Sequence, residues 1–204
     1  MSYSHLFRII LVGDPNVGKT TLLATLNNKY IPQIYEPTIG VEFASTTTTV
    51  HDNNIVKSHI WDTAGQEYFN AITKYYFRNI AGAIFVFDLS RPNTFKRIKY
   101  WLNELKNVNK LPFKMMLIGN KNDLERKISY SIANAFANKY NMLYYECCAH
   151  KDKFFYYNHF INSIYSSLPE KITSGMGVKI LPQQQPPYIH IQPKTKSNIC
   201  CQII

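Results

Sequence analysis

The chain has 204 residues, 46% of them hydrophobic, and a formal net charge of +10. That length suits one well-covered core, or one core with an appendage, and is short for two. No apolar run approaches the roughly 18 to 20 residues of a membrane-spanning helix. The four cysteines fall in the neighbouring pairs Cys147/Cys148 and Cys200/Cys201, which suit neither a disulfide framework nor C-x-x-C zinc binding.

The chain opens on "MSYSHLFRIILVGD", whose apolar stretch is interrupted by Arg8 and closed by Gly13 and Asp14, with no small-residue cleavage site. A secretory signal is not expected, and the protein reads as cytosolic with reduced thiols. "LFRIILV" (6–12) is the first predicted strand. "GDPNVGKT" (13–20) follows it and opens a predicted helix at Gly18, fitting G-x-x-x-x-G-K-[ST] in the context that gives the pattern meaning. Backbone N–H groups of such a loop wrap phosphate oxygens and the helix N-terminus adds positive potential. Lys19 reaches the β and γ oxygens and the Thr20 hydroxyl ligates Mg²⁺. ATPases, small-molecule kinases and GTPases all use this loop.

"VEFASTTTTV" (41–50) and "IVKSHIW" (55–61) are predicted strands joined by "HDNN", too short for a crossover, so they form an antiparallel hairpin at the sheet edge. There follow "GAIFVFD" (82–88), an amphipathic stretch over 93–107, "KMMLIGN" (114–120), a second such stretch over 129–139, "MLYYECC" (142–148) and a last one over 154–167. This alternation predicts an α/β fold, a mostly parallel sheet with helices on both faces. "NKND" (120–123) leaves a buried strand at the edge where such sheets bind ligands. A carboxylate there accepts two N–H donors from guanine. Adenine would leave Asp123 unpaired, at about 1 to 3 kcal/mol or more.

With "YEPTIGVEF" (35–43), "WDTAGQE" (61–67), "GNKND" (119–123) and the "CC" near the end, the chain resembles a Rab-type small GTPase of the Ras superfamily over roughly residues 6 to 168. Its tail and "TIGVEF" are similar to those of endosomal recycling Rabs. The resemblance implies a P-loop NTPase G domain with a mostly parallel six-stranded sheet, one antiparallel edge hairpin and helices on both faces. It implies GTP or GDP bound with Mg²⁺. Nucleotide contacts would come from Asn16, Val17, Gly18, Lys19, Thr20, Thr21, Tyr35, Thr38, Gly65, Asn120, Lys121, Asp123, Cys148, Ala149 and His150. Mg²⁺ would be held by Thr20, Thr38 and, through water, Asp62, and Gln66 would orient the attacking water. Loss of the γ-phosphate would release Thr38 and Gly65 and let 31–40 and 64–76 relax. Ile39, Gly40, Val41, Phe43, Trp61 and Tyr76 would form the partner-reading surface, although Trp61 and Phe43 read equally well as core. No switch arginine stands to act in cis, so intrinsic hydrolysis would be slow. A partner's arginine finger would supply a factor of about 10³ to 10⁵.

Several positions depart from the family pattern. Pro15 and Asn16 replace small P-loop residues, and a side chain at Pro15 can crowd the water and the finger. A guanine-nucleotide-binding scaffold with impaired hydrolysis is therefore the alternative reading. Tyr68 stands where Rabs carry arginine, and Ile31, with Tyr30 beside it, where an aromatic ring stacks on guanine. "CAH" (148–150) replaces Ser-Ala-Lys: the Ala149 amide remains a donor whatever its side chain, while His150 lacks a fixed charge. A P-loop kinase or ATPase is disfavoured by Asp123 and by the absence of a substrate-lid insertion.

After Leu168-Pro169 the chain becomes Pro- and Gln-rich, without helical or strand period, and reads as a flexible tail. Residues 1–170 are taken as the GTP-binding domain and 171–204 as the tail. The tail carries Lys171, Lys179, Lys194 and Lys196 and no acid, +4 of the net charge. No nucleic-acid-binding pattern accompanies this, so an anionic membrane surface fits better. "CQII" from Cys201 has the C-a-a-X form and "CCQII" resembles Rab ends, which makes Cys200 and Cys201 the expected prenylation sites. Two lipid chains would give stable attachment where one gives only reversible binding. The implied partners are an exchange factor, a GTPase-activating protein, effectors, and an escort protein or dissociation inhibitor. The implied location is the cytoplasmic face of endomembranes such as vesicles or endosomes, in exchange with cytosol.

Overall fold

The computed structural model describes residues 3–27, 41–63, 76–152, 156–172 and 176–180. Its strands are β1 (His5–Val12), β2 (Val41–Thr49), β3 (Ile55–Thr63), β4 (Gly82–Asp88), β5 (Lys114–Asn120), β6 (Leu143–Cys147) and β7 (Val178–Ile180). Its helices are α1 (Lys19–Leu26), α2 (Pro92–Lys96), α3 (Ile98–Val108), α4 (Tyr130–Lys139) and α5 (Tyr156–Tyr165). The sheet order is β2-β3-β1-β4-β5-β6. Every pairing along it is parallel except β2 with β3, the edge hairpin closed by a 3-10 turn at His51–Asn53.

Each of these strands follows from its pattern. β4 is buried at all seven positions, as a strand covered on both faces requires. β1 divides its side chains: Phe7, Ile9 and Leu11 join one core with Leu22, Phe160 and Ile164, while Ile10 and Val12 join the other with Trp101, Leu105 and Ala133. Helix α3 presents Ile98, Trp101, Leu102 and Leu105 to the sheet, spacings of three, four and seven that keep one stripe inward. Each such side chain contributes about 1.5 to 3 kcal/mol on burial. The stretch expected to be one helix over 93–107 is two, α2 and α3, meeting at Arg97. Pro92 starts the first piece, where its missing N–H costs nothing. Ser129 caps α4, its hydroxyl accepting the Ile132 N–H at 3.4 Å.

Beyond residue 170 the structure holds an element the sequence reading lacks. Val178–Ile180 pairs antiparallel with β1, in the register His5 to Ile180, Leu6 to Lys179 and Phe7 to Val178. Three residues are too few to show a strand period. Gly177 brings the chain in at φ +68°, and a Cβ there would lie 2.3 Å from the Ala81 nitrogen and 2.4 Å from the Ile80 carbonyl carbon. Its carbonyl accepts the Arg8 N–H at 2.8 Å.

The parallel order sends β1, β4 and β5 toward one edge of the sheet, with β6 beside them. The loops after all four strands open there.

Candidate functional site

The loop from Gly13 to Gly18 turns tightly between β1 and α1. Gly13 has φ +150°, and a Cβ on it would sit 2.1 Å from the Val86 carbonyl oxygen, so strand β4 leaves no room for a side chain. Asn16 has φ +61°, a left-handed conformation that asparagine tolerates better than most residues. This suits its place in a loop otherwise expected to carry small residues. Gly18 ends the loop at φ +97° and is the N-cap of α1, with no side chain capping it. The first N–H groups of α1 are therefore left for a ligand, and an anion suits them. Lys19 is 6% exposed, and its Nζ donates to Gly13 O at 2.9 Å and Asp14 O at 3.0 Å. Burial lowers its pKa, while Asp62 and Asp14 raise it. These bonds use two of the ammonium's three donors.

The loop is held from below. Arg97 Nε and Trp101 Nε1 both donate to Asp14 Oδ1, at 2.8 and 3.0 Å. Arg91 Nη2 reaches the Pro15 carbonyl at 3.2 Å.

Asp62, at the end of β3, is fully buried, and Thr20 Oγ1 donates to its Oδ2 at 2.5 Å. Its Oδ1 is buried with no partner among the described residues. Burial pushes the carboxyl up to about 6, with Glu42 adding to this and Lys19 and Thr20 opposing it. A buried carboxylate oxygen without a donor, beside a hydroxyl, is a hard-oxygen arrangement that suits Mg²⁺.

Across the loop from Asp62, a cavity of about 460 Å³ brings together Asn16, Gly18 and Thr21 with Asn120, Lys121, Asp123 and Leu124, and with Cys148, Ala149 and His150. Nine of the fifteen expected nucleotide-binding positions thus line one space. Asn120 ties its three walls: Nδ2 donates to Val17 O at 2.7 Å, and Oδ1 accepts the Ala149 N–H at 3.0 Å. The Ala149 N–H, which the resemblance assigns to a guanine carbonyl, thus already has a protein acceptor. Gly18 is obligatory on the facing wall, since a Cβ there would lie 2.2 Å from Asn120 Nδ2.

Asp123 is exposed at the cavity mouth. The Cys148 thiol donates to it and holds its carboxyl below the usual range against a small desolvation, helped by Lys151, whose Nζ lies 3.6 Å from Asp123 Oδ2. His150 is exposed. Lys151 was not singled out from the sequence, although a lysine one position beyond the expected one was the available signal. Leu124, 48% exposed, gives the cavity an apolar surface that was also missed. Asp152 Oδ2 accepts the Cys148 N–H at 2.6 Å and closes this loop.

Asp88, at the end of β4, was missed as well. It is 1% exposed and binds Ser90 Oγ at 2.6 Å, the Ser90 N–H at 2.9 Å, Arg91 Nε at 2.8 Å and Lys121 Nζ at 3.0 Å. Burial pushes its carboxyl up, but these donors win and bring it down to about 2. Lys121 itself has φ +63°, so the Asp88 pair holds a residue in a conformation that non-glycine residues avoid.

On the outer face, Phe43, Trp61 and Tyr76 form a row of rings with centroids 4.8 and 4.7 Å apart. Phe43 is 47% exposed, while Trp61 and Tyr76 are half-buried against the core. Phe43 therefore stands at the surface rather than in the core. Trp61 belongs to both. Val41 is half-buried at the start of β2. Tyr35, Thr38, Ile39, Gly40, Gly65, Gln66, Cys200 and Cys201, with Tyr30, Ile31 and Tyr68, lie outside the described residues.

A protein-family model described as "Ras family" matches residues 8–168 of the chain.

Proposed function

The chain belongs to the Ras family of small GTPases, and from that premise we propose that it is a Rab-type switch regulating vesicle traffic on endomembranes. As a Ras-family member it binds guanine nucleotide with Mg²⁺ and hydrolyses GTP to GDP and phosphate. In the finer reading, the GTP form is ordered and recruits effectors at the membrane. The GDP form is relaxed and extracted by an escort protein or dissociation inhibitor. Cys200 and Cys201 carry the prenyl groups.

The residues present fit the nucleotide and its metal. Lys19 is a buried ammonium beside a helix N-terminus without a side-chain cap, and meets phosphate oxygens there. Thr20, Asp62 and Thr38 are the residues that would hold Mg²⁺. Bound there, Mg²⁺ neutralises charge on the β- and γ-phosphate oxygens. Asn16, Val17, Gly18 and Thr21, with Tyr35 and Gly65, would make further contacts to the nucleotide. Asp123 accepts from the guanine edge, with Lys121, Cys148, Ala149 and His150 around the ring and Asn120 positioning them. Gln66 orients the attacking water. Ile39, Gly40, Val41, Phe43, Trp61 and Tyr76 read partners.

The observation that carries the guanine-switch reading is the single cavity joining the P-loop to Asp123 and the 148–150 loop. Its test is direct. Full-length protein from a bacterial host is denatured and the released nucleotide identified by chromatography. Near-stoichiometric GDP is the expected result. Mostly GTP would favour a scaffold with impaired hydrolysis, the second reading, which rests on Pro15 in the P-loop. Adenine nucleotide, or an empty folded protein without affinity for GDP, would overturn both. The membrane part has its own test: Cys200→Ser with Cys201→Ser makes the protein fully cytosolic in fractionated cells, and unchanged membrane recovery sinks the anchor.

A further inference from the structure

The β2-β3-β1-β7 wing carries a second cavity, of about 430 Å³, that shares no described lining residue with the nucleotide cavity. Its lining includes Arg8, His59, Trp61, Gly177 and Lys179. The strand register explains why cations gather there. Arg8 pairs with His59, and Leu6 pairs with Lys57 on one side and Lys179 on the other, so all four basic side chains share one face. On that face β2 contributes Val41, Phe43, Ser45, Thr47 and Thr49, while Glu42 and Asp62, paired with each other, face the opposite way. No Asp or Glu of β1, β2, β3 or β7 stands on this face among the described residues; Glu146 of β6, on the same side of the sheet, lies three strands away from β1 and is paired with Arg126.

Physical consequences of this crowding are visible. Burial, then Lys57, Lys179 and Arg8 in turn, depress the His59 imidazole, so the ring sits in a positive field. The Arg8 guanidinium lies 5.4 Å from the centroid of the Trp61 ring and 6.0 Å from that of Tyr76, and its Nη2 donates to the Tyr76 carbonyl at 3.4 Å. Lys57 Nζ lies 5.2 Å over Tyr3. The Trp61 indole N–H is buried with no partner among the described residues. A half-open cavity whose described lining holds the Arg8 guanidinium, the Lys179 ammonium and the Trp61 indole and no acid, with Lys57 beside Lys179 on the same face, favours a ligand bearing more than one negative charge.

We propose that this cavity binds the phosphorylated headgroup of an anionic membrane lipid, a phosphoinositide. The tail builds the site: Gly177, Val178 and Lys179 form one wall, so docking of β7 on β1 completes the cavity. The same tail continues from Ile180 into residues 181–204, with Lys194 and Lys196 and the proposed lipidated cysteines. That continuity selects a membrane lipid over a free phosphate ester, and only this choice rests on the membrane-anchored reading. A headgroup bound here would lie against Trp61 and so compete with effectors for the aromatic row.

The test uses full-length, unprenylated, GDP-loaded protein from bacteria, so its outcome is independent of prenylation. Sedimentation with phosphatidylcholine vesicles containing phosphatidylinositol bisphosphate is compared with phosphatidylserine vesicles of equal total charge. Binding to the phosphoinositide vesicles is expected to be several-fold stronger. Lys57→Glu with Lys179→Glu is expected to weaken it at least tenfold, because each cation near an anionic surface is worth roughly a fivefold factor. Bound-nucleotide content should be unchanged. Gly177→Val, which displaces the wall without changing charge, is expected to lose the same preference. Equal binding to phosphatidylserine vesicles, or indifference to the charge reversal, overturns the proposal. Binding of inositol trisphosphate without vesicle binding would assign the cavity to a soluble phosphate ester and overturn the lipid. Preference for an aspartate-rich peptide would assign it to a protein partner and overturn it also.

Discussion

Thr20 Oγ1 donates a 2.5 Å hydrogen bond to Asp62 Oδ2, while Asp62 Oδ1 is buried without a partner among the described residues. The P-loop hydroxyl thus does half the work of solvating a carboxylate that burial pushes up to about 6 from an ordinary 3.8. The folded state holds this proton to higher pH than the unfolded state. The stability the group contributes is therefore present below 3.8 and lost as pH rises toward about 6. Metal-free, nucleotide-free protein is expected to lose up to about 3 kcal/mol across that window, and Asp62→Asn is expected to flatten the loss. Urea denaturation in EDTA at a series of pH values measures it. Mg²⁺ must displace the same proton, so its affinity should fall as pH drops below about 6. A Mg²⁺ affinity that does not change there refutes the arrangement.

Asn120 joins the P-loop to the 149 loop through Val17 O and the Ala149 N–H. Asn120→Ala leaves a buried carbonyl and a buried N–H unpaired, at about 1 to 3 kcal/mol each. GDP release is expected to accelerate by roughly 10- to 100-fold, even though the substitution removes no phosphate contact. Displacement of a fluorescent GDP analogue measures it. A rate within twofold of the native protein would mean that the loops hold themselves.

The sequence made the fold legible wherever a long pattern met a buried surface. "GAIFVFD" and "KMMLIGN" coincide with β4 and β5 residue for residue, because burial on both faces, throughout β4 and from Met116 to Asn120 in β5, leaves a nearly continuous apolar run. β7 was hidden because its pairing depends on β1 and on the Gly177 turn, both remote from it or local to one residue. In the site, residues whose backbone or charge meets the ligand stand in motifs and were readable. Asp88, Asp14, Arg97 and Trp101 act on other side chains across 33 to 87 positions of chain, a distance no local pattern spans.

Asp88→Asn removes the charge that holds Lys121 Nζ and Arg91 Nε. Because both partners are partly exposed, a loss of about 2 kcal/mol at neutral pH is expected rather than the full cost of a broken buried pair. In the native protein this carboxyl sits at about 2, so its contribution is present above 3.8 and lost as pH falls toward about 2. Acid titration of stability should show that descending limb in the native protein and not in the variant. Superimposable limbs would place the acid sensitivity elsewhere.

Arg91 Nη2 holds the Pro15 carbonyl, anchoring the residue that crowds the catalytic space in the scaffold reading. Gln66→Leu is expected to slow single-turnover GTP hydrolysis further, and Pro15→Gly, which removes the side chain that crowds both the water and the finger, to raise the intrinsic rate as well as the acceleration by an added activating protein. Turnover unchanged by Gln66→Leu would mean that this glutamine does not orient the water.

Lys151 lies 3.6 Å from Asp123, while His150, in the position where the family carries lysine, is exposed. An ammonium thus stands beside Asp123 one residue along the loop from the position where the family carries lysine. The pair is exposed on both sides, so its worth is at most about 1 kcal/mol and falls with salt. Lys151→Ala should weaken GDP binding by less than about fivefold at low ionic strength, and the difference should vanish in high salt. His150→Ala should change affinity less than Lys151→Ala does. Calorimetric titration of GDP into the two nucleotide-stripped variants decides between them. A larger effect from His150→Ala would return the stacking role to the histidine and reduce Lys151 to a surface charge.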